Sequence, residues 1–475
     1  MAIYYMIQHS DIIATEAAGS PGTGWALATD LQALLDTART ANLPLILQPG
    51  LYTTSTAVTI SPGTGGGNSL ELRAIPGTAI IRLTTSAEHL LEVRDVPDVS
   101  VAGITFDGGG HPLSGGASPI GLVRFTGPDS YNFTLRNCRI LNSTQTGIVV
   151  NDRSQGRIIE SILLNCRTGI FANDSLAIIE QNYLQGMLDN GVAVWTSAHA
   201  FNGSQVFGNQ IEGVNNDSGG TGQYGNAVLI FRAGGVKVMN NTLRDTKYSA
   251  VRANGALDLQ VIGNNCSDLR EVAIFIEAPG AGLDLIGCVI SDNVINRAGM
   301  GISVANAGLY NDGAAKRTIV SNNIVSNITR NAIPDPGYSH PVTSGIGMGS
   351  EIDSNITGNT IENVATIGIG LGTNDAAINL ACTGNLIINA PMGIGYSANP
   401  DAESILISSN LIRGYREISD IDEPDYANSG AIVSYHFNGT NDVRDSSGGA
   451  ANTDYGNSAH AVAGSVTIGM NRADT

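Results

Sequence analysis

Lysine is almost missing from this sequence. Of 24 basic residues in 475, only Lys237, Lys247 and Lys316 are lysines, against 42 acidic residues. The balance, 24 − 42 = −18, provides no basic face, which excludes nucleic acid and anionic membrane surfaces as partners. A polyanionic glycan would need a local cluster of cations, and arginine would have to supply it. Charged residues make up only 14% and aromatics 5%, a poor composition for a helical protein, which uses more Glu, Lys, Ala and Leu. Cysteine is scarce and odd in number: Cys138, Cys166, Cys266, Cys288 and Cys382. None has C-x-x-C spacing, so a zinc site is excluded and burial as small residues is expected. No apolar run reaches the ~18–20 residues of a membrane span. The start, "MAIYYMIQHSDIIATEAAG", lacks a basic leader and a long apolar stretch. It reads as a mature form whose signal was removed, or as a chain without one.

What is plentiful is turn and strand chemistry: 59 glycines, with frequent Asn, Ser, Thr, Ile and Val. Two elements repeat. The first is x-Asn-x-aliphatic, at Asn209, Asn241, Asn293, Asn323, Asn359, Asn385 and Asn410, with a weaker copy, "NNCS", read with Asn265 in place. The second is a small residue followed by alternating aliphatics: "GIVV" at Gly147, "GIFA" at Gly169, "GVAV" at Gly191, "AVLI" at Ala227, "AVRA" at Ala250, "AIFI" at Ala273, "GISV" at Gly301, "GIGM" at Gly345, "GIGL" at Gly368 and "GIGY" at Gly393. Steps of 22 (147 to 169, 169 to 191) and 23 (227 to 250, 250 to 273, 345 to 368) recur without helical patterns between them. Short strands at that period predict an all-β solenoid, a single-stranded right-handed parallel β-helix with asparagines stacked at one turn. A β-sandwich would not hold one motif in register over so many repeats.

The whole chain, 1–475, reads as one such domain. Its parts are an N-terminal segment and capping helix (1–50), coils (51–412), and a C-terminal coil, loop and cap (413–475). Thr29 or Asp30 would cap a helix that places Leu31, Leu34, Leu35 and Ala38 on one face, over the open first coil.

Strand parity gives a map of the outside. Outward positions following the small residue run Val149, Phe171, Ala193, Leu229, Arg252, Phe275, Ser303, and then Asn151, Asn173, Trp195, Phe231, Asn254, Glu277, Ala305. With coils about 4.8 Å apart, Trp195, Phe231, Asn254 and Glu277 form one ladder beside Arg252, with Arg232 at a strand end and Phe275 and Asn226 adjacent. Aromatic faces stack on sugars while Arg, Asn and Glu hold hydroxyls or a carboxylate, so this face is a candidate glycan-binding wall. The alternative is that a long loop or a subunit interface covers these residues. The step from Gly191 to Ala227 is 36 residues, about 14 longer than a coil. It brings His199, Asp217 and Tyr224 near this wall, and a second long loop, 329–344, can place Tyr338 and His340 on its rim.

From "NQIEGVNNDSGGTGQYGNAVLIFRAGGVKVMNN" through "SAVRANGALDLQVIGNNCSDLREVAIFIEA" the chain resembles a bacterial right-handed β-helix repeat family, twin-arginine-translocated and functionally uncharacterised, within the pectin-lyase-like group. The likeness extends over most of residues 25–412. It implies a β-helix and an exported, secreted or periplasmic protein, although the twin-arginine segment is not in this chain. It assigns no catalytic residues.

Three functional classes follow from the residues themselves. A polysaccharide lyase must neutralise a uronate, remove the neighbouring proton and protonate the leaving oxygen. Arg252, Arg232 and Asn254 serve the first need, Tyr248, Lys247 or Tyr224 the proton transfers, and Glu277 orients Arg252 or binds a cation. A glycoside hydrolase or glycosyl-transferring enzyme needs two carboxylates. Glu271 and Glu277 are too far apart on a straight strand, whereas Asp245 and Asp268 lie at matching positions of adjacent coils, as an acid/base pair, a calcium site or stacked turn aspartates. The third class is a non-catalytic glycan-binding or spike protein. The expected partner is a polysaccharide or oligosaccharide, elimination is placed ahead of hydrolysis, calcium is the one cofactor considered, and monomer and homotrimer are both compatible.

Overall fold

Aliphatic residues at every second position form strands here, and the strands close into coils. The computed structural model of the protein describes residues 31–413, apart from 64–68, 117, 221, 279–284, 306–314, 330–344, 373–376 and 398–402, together with the backbone of short strands at 12–14 and within 429–474. Contacts divide the chain into two units, Met1–Ser197 with Asn202–Gly213, and Ala198–Phe201 with Val214–Thr475.

In the first unit, helix α1 (Leu31–Ala41) buries Leu35 and Ala38, while Leu31 and Leu34 are half-buried. The Gln32 side chain staples the helix to the strand Val58–Ile60, donating to Thr59 O at 2.8 Å and accepting from Thr59 N at 2.8 Å. The expected cap residues Thr29 and Asp30 lie outside the described residues. Each coil then contributes three strands, such as Tyr131–Arg136, Arg139–Leu141 and Thr146–Asn151, each paired in parallel with its counterpart one coil on. Ile148, Ile170 and Val192 stack in register and are fully buried.

The second unit repeats the plan. Val228, Val251, Ile274, Ile302, Met348, Ile369 and Ile394 form one inward column. Met348, not Ile346, occupies that column, so the repeat's small residue is Gly347 and the expected position, Gly345, is two residues early. The site requires a small residue because the next coil's backbone lies against it. A Cβ on Gly301 would stand 2.2 Å from Gly347 O, and one on Gly347 would stand 2.6 Å from Gly368 O.

The asparagine turn is a continuous hydrogen-bonded ladder within this unit. Starting from Asn241 as the first donor, Asn264, Asn293, Asn323, Asn359, Asn385 and Asn410 each accept at their side-chain oxygen from the preceding asparagine. Asn293 is typical: its backbone N–H and its Nδ2 both donate to Asn323 Oδ1, at 3.0 and 2.9 Å, and Nδ2 also donates to Val261 O at 2.9 Å. In "NNCS" the ladder residue is Asn264 rather than Asn265, whose side chain is exposed. All five cysteines are buried thiols, and burial pushes each up to about 12. Near the C-terminal end the strand Ser429–Ser434 pairs antiparallel with Met392–Ser397, and Gly464–Gly469 pairs in parallel with Glu403–Ser408. Among the described residues no helix is long and apolar enough to cross a membrane.

Candidate functional site

Within the second unit the strands Asn226–Gly234, Val251–Asn254 and Val272–Glu277 lie side by side, pairing Leu229 with Arg252 and Phe275, and Phe231 with Asn254 and Glu277. Parity turns all six outward. Three donors converge on one oxygen there: Arg252 Nε at 3.1 Å, Arg252 Nη2 at 2.7 Å and Asn254 Nδ2 at 2.7 Å all reach Glu277 Oε1. The guanidinium also lies over the Phe275 ring at 4.7 Å, a cation–π contact.

A second carboxylate meets the same guanidinium. Glu271 Oε2 stands 3.6 Å from Arg252 Nη1, and neither atom makes a hydrogen bond, although both are buried. The straight-strand estimate separated Glu271 from Glu277. In fact Glu271 lies at the corner between the strands Asn265–Leu269 and Val272–Glu277, so both reach Arg252. Burial raises the Glu271 carboxyl to about 7, opposed by Arg252 and reinforced by the negative charge of Glu277.

These outward residues are not exposed: Arg252 and Glu277 are each 7% accessible. The turn Gly222–Gly225 lies over Arg252. A Cβ on Gly222 (φ +119°) would stand 1.6 Å from Arg252 Nη1, so only glycine admits this close approach. Tyr248 is a buried strut for the same segment, donating its hydroxyl to Gly220 O at 3.1 Å. Asn226 Nδ2 donates to Gly222 O at 2.8 Å, and Asn226 Oδ1 accepts from Ser249 N at 3.3 Å. The covering-loop alternative therefore describes Arg252, Tyr248 and Asn226.

Phe231 and Arg232 are half-buried, with the guanidinium over its neighbour's ring at 4.8 Å. Tyr224 is half-buried and Lys247 exposed. Trp195 belongs to the first unit, where it meets Phe171 edge-on at 6.4 Å between ring centroids. Asp245 and Asp268 are exposed residues with a left-handed backbone (φ 53° and 59°) inside the paired strands Thr242–Thr246 and Asn265–Leu269, at matching positions of successive coils. Arg297 clamps Asp268 with two bonds of 2.5 and 2.7 Å and lowers its carboxyl. No group of three His, Cys, Asp or Glu side chains suited to a metal ion occurs among the described residues. Tyr338 and His340 lie outside the described residues.

The first unit holds an arrangement that sequence reasoning missed. Arg124 pairs in register with Glu92, and its Nη1 lies 3.5 Å from Glu92 Oε1, both side chains being buried. Arg94 also bonds Glu92, and His89 Nε2 lies 3.1 Å from Thr59 Oγ1. The alternation in "LEVR" and "GLVRFT" already turns Glu92 and Arg124 to the same side, the signal available in the sequence.

Residues 159–325, about a third of the chain, match the family model described as the right handed beta helix region. The chain folds as a right-handed parallel β-helix. Solved structures similar to it include the A-module of the Azotobacter vinelandii mannuronan C-5 epimerase AlgE6, at 18% identity and a TM-score of 0.41 over 82% of this chain and 95% of that one. Others are the N-terminal fragment of bacteriophage Phi29 gene product 12, at 15% identity and 0.43 over 82% and 69%, and the Dettilon tailspike protein, at 14% and 0.41 over 82% and 63%. Scores and identities in this range speak to fold alone. No curated protein matches the sequence.

Proposed function

We propose that this protein is a carbohydrate-active β-helix that cleaves a polysaccharide with the paired carboxylates Glu271 and Glu277, held on Arg252. The observation that carries the reading is the unequal environment of two carboxylates sharing one guanidinium. Glu271, raised to about 7, retains its proton near neutrality and can give it to a glycosidic oxygen as the C–O bond breaks. Glu277 gathers its three donors on Oε1, and its other oxygen can take a proton from the water that attacks the sugar carbon. The products are a new reducing end and a free hydroxyl. Access requires the turn Gly222–Gly225 to lift from Arg252, and its glycines permit that backbone change.

β-Elimination would instead use Arg252, Arg232 and Asn254 against a uronate, with Tyr248, Lys247 or Tyr224 moving protons. Arg252 already spans two glutamates and the Tyr248 hydroxyl is committed to Gly220, so the geometry supports the carboxylate pair better. The secreted or periplasmic location, and assembly as a monomer or homotrimer, belong to the same proposal.

The test is a screen of purified protein against uronate-containing and neutral polysaccharides. Hydrolysis releases reducing ends without ultraviolet absorbance, whereas elimination releases unsaturated, absorbing ends. A glycan-binding protein retains the polymer and releases neither.

A further inference from the structure

We infer that Phe201 forms a sugar-stacking subsite that anchors the polysaccharide away from the carboxylate pair, with Phe231 and Arg232 on the strand that leads from one to the other; the inference rests on the glycan-active reading above. Phe201 is the most exposed large apolar side chain among the described residues, at 76%. Its ring nevertheless lies against backbone on one side. The Cδ2, Cε2 and Cζ atoms occupy the space where a Cβ on Gly235 would stand, at 2.7, 2.1 and 2.7 Å, and Gly235 has a left-handed backbone (φ +67°). The ring thus rests on bare backbone along one side and presents the remainder to solvent.

Gly235 lies three residues past Arg232, whose guanidinium covers Phe231 at 4.8 Å. Phe231 pairs in register with Asn254, which donates to Glu277. A continuous path therefore runs from Phe201 across Gly235, Arg232 and Phe231 to the proposed catalytic carboxylates. It runs up to ~13 Å along the strand from Gly235 to Phe231 and about 10 Å across two coils from Phe231 to Glu277. That span calls for a chain of sugars rather than a single one.

The occupant follows from the surroundings. The other strongly exposed apolar side chains of this unit, Val294, Ile319, Ile324 and Leu406, lie on the strands Val294–Ala298, Thr318–Ser321, Ile324–Ile328 and Glu403–Ser408 of the other two sheets. A protein partner needs a contiguous apolar patch. One supported, solvent-facing aromatic ring suits the C–H face of a pyranose.

Binding of polygalacturonate, alginate, xylan and dextran to the full chain is measured by affinity electrophoresis and calorimetry for wild type, F201A, F201W and G235A. The inference predicts about five- to tenfold weaker binding for F201A and G235A to whichever polymer binds, and retained binding for F201W. E271Q should bind as wild type, which separates this site from the cleavage chemistry. If wild type binds a polymer that it does not cleave, and F201A weakens that binding, the subsite stands and the hydrolytic reading fails. If cleavage occurs and F201A binds as wild type, the subsite fails alone. Binding of none of the polymers, or a change confined to oligomeric state on sedimentation, overturns the inference.

Discussion

Replacing Arg252 by alanine tests whether the buried cluster exists as described. The substitution removes two hydrogen bonds to Glu277, the 3.6 Å contact with Glu271 and the stacking on Phe275. Glu277 would keep only Asn254, in surroundings where its side chain is 10% accessible. Breaking a buried ion pair from one side costs about 3–5 kcal/mol, most of it the uncompensated charge that remains. Urea unfolding followed by far-ultraviolet circular dichroism should show a loss of that size for R252A. The double variant R252A/E277Q should recover a substantial part, because it removes the stranded charge as well. Arg252 is thus a positioning and structural residue as much as a functional one, and R252A inactivity alone would not establish catalysis. A loss below about 1 kcal/mol for R252A would show that the pair is solvated in solution and refute the reasoning.

Two further outcomes follow from the same contacts. The folded pKa of Glu271, about 7, lies above the ordinary 4.5, so the folded state holds more protons between those values and stability falls as pH rises through that window. The fall should be about 3 kcal/mol between pH 4.5 and 7, seen as a shift in the urea midpoint, and E271Q should flatten it; an unchanged slope in E271Q would contradict the assignment. In the asparagine ladder, N264A strands the donors of Asn241 and should cost about 2–3 kcal/mol in urea unfolding, whereas N265A should stay within about 0.5 kcal/mol, since its side chain is exposed. Equal effects at the two positions would place the ladder elsewhere.

Much of the fold was legible because a strand's side chains alternate strictly, so Val228, Val251 and Ile274 identify the core wherever the motif recurs. The errors came where the motif was locally doubled. "NNCS" offers two adjacent asparagines, and "SGIGMGS" offers three glycines at alternate positions, so composition cannot choose between Asn264 and Asn265 or between Gly345 and Gly347; backbone pairing does. Outwardness was read correctly at Arg252 and Glu277, but exposure was not. Parity reports direction, whereas the burial of Arg252 depends on the turn Gly222–Gly225, placed there by glycines and by Tyr248. Glu271 was discounted because the chain was taken as straight at a corner. Glu92 and Arg124 were passed over because they precede the clearest copies of the repeat.

The most direct test of the central claim is the rate of reducing-end release from a panel of uronate-containing and neutral polysaccharides by wild type, E271Q and E277Q, with ultraviolet absorbance recorded in parallel. The paired-carboxylate account predicts release from at least one polymer without absorbance, and a loss of at least about a hundredfold in each variant with binding retained. Release accompanied by absorbance, release undiminished in E271Q, or no release from any polymer would contradict it.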